Sequence, residues 1–120
     1  MLIVVPSRGR PDSLRRMLKS FADTETRAKV LIRIDDDDET MSGFTYSSVM
    51  TLRPSVQIVS GPQVKSVGAM QEAIAMYPDE DAYAILGDDC VARTKHWDET
   101  LRLAAGDWHI AFPNDLLKGE

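Results

Sequence analysis

One cysteine, Cys90, and two histidines, His96 and His109, are all that this chain of 120 residues offers of thiol and imidazole chemistry. A lone cysteine excludes an internal disulfide and fits a reducing compartment. There is no C-x-x-C and no H-E-x-x-H, and neither histidine has a carboxylate or cysteine at ligand spacing, so a zinc site has no sequence basis. Cys90 follows Asp88 and Asp89, whose charge raises a thiol pKa and makes a nucleophilic cysteine a poor reading. No G-x-G-x-x-G follows the first apolar run, and G-x-x-x-x-G-K-[ST] is absent. Dinucleotide and P-loop readings therefore lack their fingerprints. Positive charge is in deficit: 14 Lys and Arg stand against 19 Asp and Glu, for a net charge of -5. That argues against a nucleic-acid partner, which selects a basic face. Long hydrophobic runs are missing as well. Leu2 to Val5 is far too short for a signal peptide or a transmembrane segment, and the expectation is a soluble, cytoplasmic protein.

What is present is an alternation of short apolar runs with longer amphipathic stretches. Leu2-Ile3-Val4-Val5, closed by Pro6, predicts a buried strand. Asp12 or Ser13 is placed to cap a helix whose apolar positions Leu14, Met17, Leu18 and Phe21 share one face. Val30 to Ile34 is the second strand. Residues 40 to 52 stay ambiguous, because Met41, Phe44, Ser48 and Leu52 would line a helix that the surrounding serines and threonines weaken. Val56 to Val59 alternates as a third strand, stopped by Gly61-Pro62. From Val64 the spacing predicts a helix packed on Val67, Met70, Ile74 and Tyr77, with Pro78 beyond its end. Ala82 to Leu86 is a fourth strand. A helix from about His96 to Ala104 turns Trp97, Leu101 and Ala104 to one side, and Ile110 to Phe112 is a fifth strand. This order predicts one α/β domain over residues 1 to 120, with a largely parallel sheet and helices on both faces.

The chemistry-bearing residues gather where such sheets bind ligands, beyond the carboxyl ends of the strands. Pro6 to Arg10, Asp35 to Asp38 and Gly87 to Asp89 each follow an apolar run. Adjacent carboxylates repel, by about 1 kcal/mol at ~4 Å even in water. Such a pair is either solvated at a turn or holds a cation. A turn is the plainer reading of Asp88-Asp89, and Asp37, Asp38 and Glu39 are expected to be a solvated face. An EF-hand reading of the acidic run fails on its glycine and terminal glutamate spacing. Arg8, Arg10 and Lys65 read equally well as solvated surface charges, and Gly68 as a site of close packing against the sheet.

Four segments in this order resemble the nucleotide-sugar-binding half of GT-A-fold, family-2-like glycosyltransferases. Val4-Val5-Pro6-Ser7-Arg8-Gly9-Arg10-Pro11 is similar to the opening strand and its P-T-x-N-R-P loop. Ile32-Arg33-Ile34-Asp35-Asp36 is similar to the second strand with its base-reading acids. Lys65-Ser66-Val67-Gly68-Ala69-Met70-Gln71-Glu72-Ala73-Ile74 resembles the helix that opens on a basic residue, and Leu86-Gly87-Asp88-Asp89 a shortened D-x-D metal motif. The sequence departs from the pattern at Leu86, where an acid often stands, at Gln71, where asparagine is common, and at the acids that replace D-G-S.

The resemblance implies a Rossmann-like GT-A topology and a nucleoside diphosphate-sugar donor held with Mn2+ or Mg2+. It implies nucleotide contacts from Pro6, Ser7, Arg8, Arg10, Asp35, Asp36, Lys65, Gly68, Gly87 and Asp88, with metal contacts from Asp88 and Asp89. A bridging cation is physically necessary, because an acidic site would otherwise repel a pyrophosphate; the metal also stabilises the departing diphosphate. The acceptor and the general base are unassigned, since the acceptor half of such enzymes lies beyond the equivalent of residue 120. The chain is therefore expected to be a truncated piece that binds donor without transferring sugar. The competing readings are a non-catalytic nucleotide-binding or scaffold module of the same fold, and a sugar nucleotidyltransferase whose glycine-rich loop Ser7-Arg8-Gly9-Arg10 echoes only faintly.

Overall fold

Four parallel strands in the order β3-β2-β1-β4 form the sheet of the computed structural model, which describes residues 1–42 and 55–106. They are β1 (Leu2–Ser7), β2 (Lys29–Asp35), β3 (Val56–Gly61) and β4 (Tyr83–Ile85). Between and after them run α1 (Pro11–Asp23), the single turn α2 (Glu39–Ser42), α3 (Ser66–Met76) and α4 (Trp97–Ala105). The expected strand at Ile110 to Phe112, His109, and the ambiguous stretch after Ser42 lie outside the described residues.

Residues 2 to 5 of β1 are all buried, because both faces of the sheet are covered. The period of two splits them. Ile3 and Val5, with Val30, Ile32 and Ile34 of β2, pack on Leu14, Met17, Leu18 and Phe21 of α1 and on Trp97 and Leu101 of α4. Leu2 and Val4, with Leu31, pack on Ala69, Met70 and Ala73 of α3. Register follows the same logic: Leu2 lies opposite Lys29 and Ser7 opposite Ile34, while Val30 faces Val56 and Asp35 faces Gly61. β4 pairs over Leu2–Tyr83 to Val4–Ile85 before the chain turns away at Gly87.

Three expectations about the helices are corrected. α1 starts on Pro11 rather than behind an Asp12 or Ser13 cap, since proline at the first helical position has its φ preset and no N–H to satisfy. α3 is rotated from its expected face. Ala69, Met70 and Ala73 are its buried positions, whereas Val67 is 71% exposed and Ile74 38%. Small alanines let the helix lie close on the sheet, a preference that a search for large apolar residues misses. In α4, Trp97 and Leu101 are buried as expected, but Ala104 is exposed.

A polar seam fastens the segment after β4 to α1. Ser20 Oγ accepts the Ala92 N–H at 2.9 Å, the Thr24 carbonyl accepts the His96 N–H at 3.2 Å, and Trp97 Nε1 donates to Thr26 Oγ1 at 2.7 Å. Asp98, at the start of α4, accepts the N–H groups of Arg27 and Ala28, both at 3.0 Å. These bonds tie the segment that follows Asp88-Asp89 to the element that follows Ser7.

Candidate functional site

The strand order reverses between β1 and β4, and in an open parallel sheet that is where a crevice opens at the carboxyl edge. Both acid pairs sit at this edge as the central residues of tight turns. Asp38 N–H donates to the Asp35 carbonyl at 3.1 Å and Cys90 N–H to the Gly87 carbonyl at 3.3 Å, so Asp36-Asp37 and Asp88-Asp89 occupy equivalent places. The sequence reading of a strand-end turn holds for Asp88-Asp89.

Across the β1/β4 gap, Ser7 Oγ donates to Asp88 Oδ2 at 2.9 Å, a buried bond between positions 81 residues apart. Arg10 Nη1 lies 3.5 Å from Asp88 Oδ1. Asp88 is thus buried and engaged on both oxygens. Asp89 is exposed, its Oδ1 folded back over Gly87 so closely that a Cβ there would sit 2.9 Å away.

Across the β1/β2 gap the loops are clamped by charge. Arg8 Nη1 donates to Asp35 Oδ2 at 3.0 Å and to Asp37 Oδ1 at 2.7 Å. The Asp37 and Asp35 carboxylates hold the Arg8 guanidinium still more firmly protonated than usual, and Arg8 in turn pulls the Asp37 carboxyl below its ordinary range. Gly9, at φ 66, presents its N–H to Asp38 Oδ2 at 2.7 Å. Here the expectation for Asp38 is corrected: it is only 6% exposed, because it is the acceptor that closes this loop and, at 3.3 Å, the Met41 N–H as well. Asp37 and Glu39 are exposed, as expected, and Asp36 is exposed too.

Pro6, Ser7, Arg8, Asp35 and Lys65 line one crevice of about 400 Å³, together with Arg33, Gln63, Val64 and Ser66. Of the residues singled out in the sequence, these five come together. Asp36 borders a neighbouring hollow with Asp35 and Asp38. Arg10 turns to Asp88. Gly68 lies one turn into α3, where a Cβ would stand 3.1 Å from Val64 Cβ; its close approach is to this preceding loop rather than to the sheet.

Arg33 lines the crevice and Glu72 is its partner, and the sequence singles out neither. Arg33 is 3% exposed, on β2, and reaches α3 through Nε to Glu72 Oε1 at 2.7 Å and Nη2 to Glu72 Oε2 at 3.3 Å. Glu72 is the chief cause that raises the Arg33 pKa, and Arg33 holds the Glu72 carboxyl below its usual range. The available signal was a lone cation inside the apolar run Val30 to Ile34.

Among the described residues no group of three or more His, Cys, Asp or Glu side chains converges as a metal cage. Mg2+-type ions rarely need one, since one or two carboxylates plus substrate phosphates and water suffice. The exposed Asp89 carboxylate fits that mode in kind, whereas the neighbouring Asp88 is buried against Ser7 and Arg10. No helix among the described residues is long and apolar enough to cross a membrane. The chain matches no family model and no curated protein.

Proposed function

We propose that the chain binds a nucleoside diphosphate-sugar together with Mn2+ or Mg2+, as the donor-binding part of a GT-A-type glycosyltransferase. The observation that carries this reading is the convergence of Ser7, Arg8, Asp35 and Lys65 on one crevice at the carboxyl ends of β1 and β2, with Ser7 also bonded to Asp88 across the β1/β4 gap where strand order reverses. Arg8 and Lys65 suit phosphate oxygens, as a planar donor fork and a compact point charge. Asp35 suits a neutral donor, a pyrimidine N–H or ribose hydroxyl. Asp89 would hold the cation, with Asp88 fixed beside it by Ser7 and Arg10; the cation when bound neutralises charge on the departing diphosphate. Ser7 keeps the β1 end in contact with the Asp88 turn, so that the phosphate and metal sides of the site move as one body.

A specific observation favours binding without transfer by these residues. Asp35 is held by Arg8 and Arg33, and Asp88 by Ser7 and Arg10. A general base needs a carboxylate or imidazole within about 3 Å of the acceptor hydroxyl, and these carboxylates are already committed. The sugar-transfer step is then expected to need groups outside the crevice.

Thermal denaturation with UDP, GDP, CDP and ADP, each with and without Mn2+, tests the reading. A ligand at 100 times its dissociation constant adds about 2.7 kcal/mol. We expect one nucleotide to raise the melting temperature in a metal-dependent way. No shift with any of the four at millimolar concentration would overturn it.

A further inference from the structure

Arg33 is an expensive residue to place where it stands. A guanidinium that is 3% exposed on a central strand has lost nearly all its water, and an aliphatic residue would fill a β-strand core without that loss. Its register neighbours are Pro6 on β1 and Val59 on β3, so nothing about the sheet itself calls for a charge. What Arg33 does with its donors is more telling. Nη1 donates to the Ile34 carbonyl at 2.6 Å, and lies 3.3 Å from the Gly61 carbonyl and 3.4 Å from Asp35 Oδ1. Nη2 donates to the Pro62 carbonyl, and Glu72 accepts from Nε and Nη2. One planar group thus spans the end of β2, the loop after β3 and the middle of α3. Gly61 belongs to the same arrangement, because a Cβ there would sit 2.9 Å from Nη2.

Asp35 is the residue this arrangement serves. Its Oδ1 faces Arg33 Nη1 and the Val64 N–H, both at 3.4 Å, and its Oδ2 accepts from Arg8 at 3.0 Å. An ionised carboxylate has about four acceptor directions, so about one remains for a ligand donor. Both Arg33 and Asp35 line the crevice.

We propose that Arg33 is a positioning residue: by holding the Asp35 carboxylate and the loop from Gly61 to Val64 in a single geometry, it sets recognition of the nucleoside part of the ligand while leaving the phosphate part to other groups. This rests on the nucleotide-binding reading above and adds which residue governs its specificity. Lysine cannot replace arginine here, since a single ammonium lacks the fork that reaches Glu72, two loop carbonyls and Asp35 together.

The test uses the full chain, wild type and Arg33→Lys, with an Arg33→Met/Glu72→Met double variant that leaves no unpaired charge should the lysine fail to fold. Calorimetry compares Mn2+ plus each of UDP, GDP, CDP and ADP with Mn2+ plus inorganic pyrophosphate. We expect the nucleotide that binds wild type to lose about tenfold in affinity, as for one misplaced hydrogen bond to a charged group, with pyrophosphate unchanged. Equal losses for both probes, or none, would overturn the assignment. Amide hydrogen exchange gives a ligand-independent reading. The Val64 and Asp36 amides, which donate to Asp35 Oδ1 and the Gly61 carbonyl, should lose protection in both variants while central β1 amides keep theirs. If wild type binds none of the nucleotides, the functional reading falls, and exchange decides the positioning claim: unchanged or uniformly lowered protection would overturn it.

Discussion

Asp38 accepts one N–H from the β1–α1 loop and one from α2, and so does with a single side chain what a strand would do with a ladder. Burial makes this consequential, because a buried donor that loses its acceptor keeps its desolvation cost. Asp38→Ala should therefore destabilise the chain by about 1–3 kcal/mol in urea denaturation. It should also loosen Gly9, raising the hydrogen-exchange rate of that amide. Asp89 is the opposite case. It is exposed and no hydrogen bond of the described structure depends on it, so Asp89→Asn is expected to shift stability by no more than about 0.5 kcal/mol. It should nevertheless weaken Mn2+-dependent nucleotide binding in calorimetry. Unchanged affinity would move the metal contact away from this turn.

At the scale of the element, α3 separates packing from periodicity. Its contact face is Ala69, Met70 and Ala73, with Ala73 fully buried, and Val67 points to solvent. Adding side-chain volume to the close face forces the helix off the sheet, so Ala73→Leu should cost about 1–3 kcal/mol. Val67→Ala, on the open face, should stay within about 0.5 kcal/mol. A large loss at Val67 in the same denaturation series would restore the face inferred from the larger residues. The two strand-end turns follow a similar logic. Each has an acid pair at its centre, yet in one the flanking Asp35 and Asp38 are buried and in the other the first central acid, Asp88, is. The difference lies in the partners: Arg8 and the Gly9 N–H reach the first turn, Ser7 and Arg10 the second.

For the molecule as a whole, acid should act through the paired carboxylates. Glu72 beside Arg33 and Asp37 beside Arg8 are held below the ordinary carboxylate range. Asp81 is drawn from 3.8 to about 2, first by the N-terminal ammonium and then by Arg102. A folded-state pKa below the unfolded value means that the unfolded chain binds more protons on acidification. The resulting stability is complete above the unfolded values near 4 and is lost as pH falls through the folded ones. The urea midpoint should hold steady between about pH 7 and 5 and fall between about pH 4 and 2. Since Asp37 and Asp81 are mostly exposed, added salt should flatten this fall by screening.

The sequence by itself determined the α/β alternation, the positions of all four described strands and the edge at which the acids gather. Short β-branched runs, proline and glycine stops and period-two burial are local signals that need no knowledge of neighbours. It also placed Ser7, Arg8 and Asp35 at one edge, because each stands at or just after a strand end, whereas Lys65 entered only through the resemblance. Tertiary structure alone decided which charges met. Asp38 looks like any acid in an acidic run until Gly9, 29 residues away, turns its N–H toward it. Arg33 is an anomaly in an apolar run until Glu72, 39 residues on, and the Gly61-Pro62 carbonyls surround it. Desolvated charge takes its meaning from its partner, and partners distant in sequence are brought together only by the packing of α3 and the strand ends on one sheet.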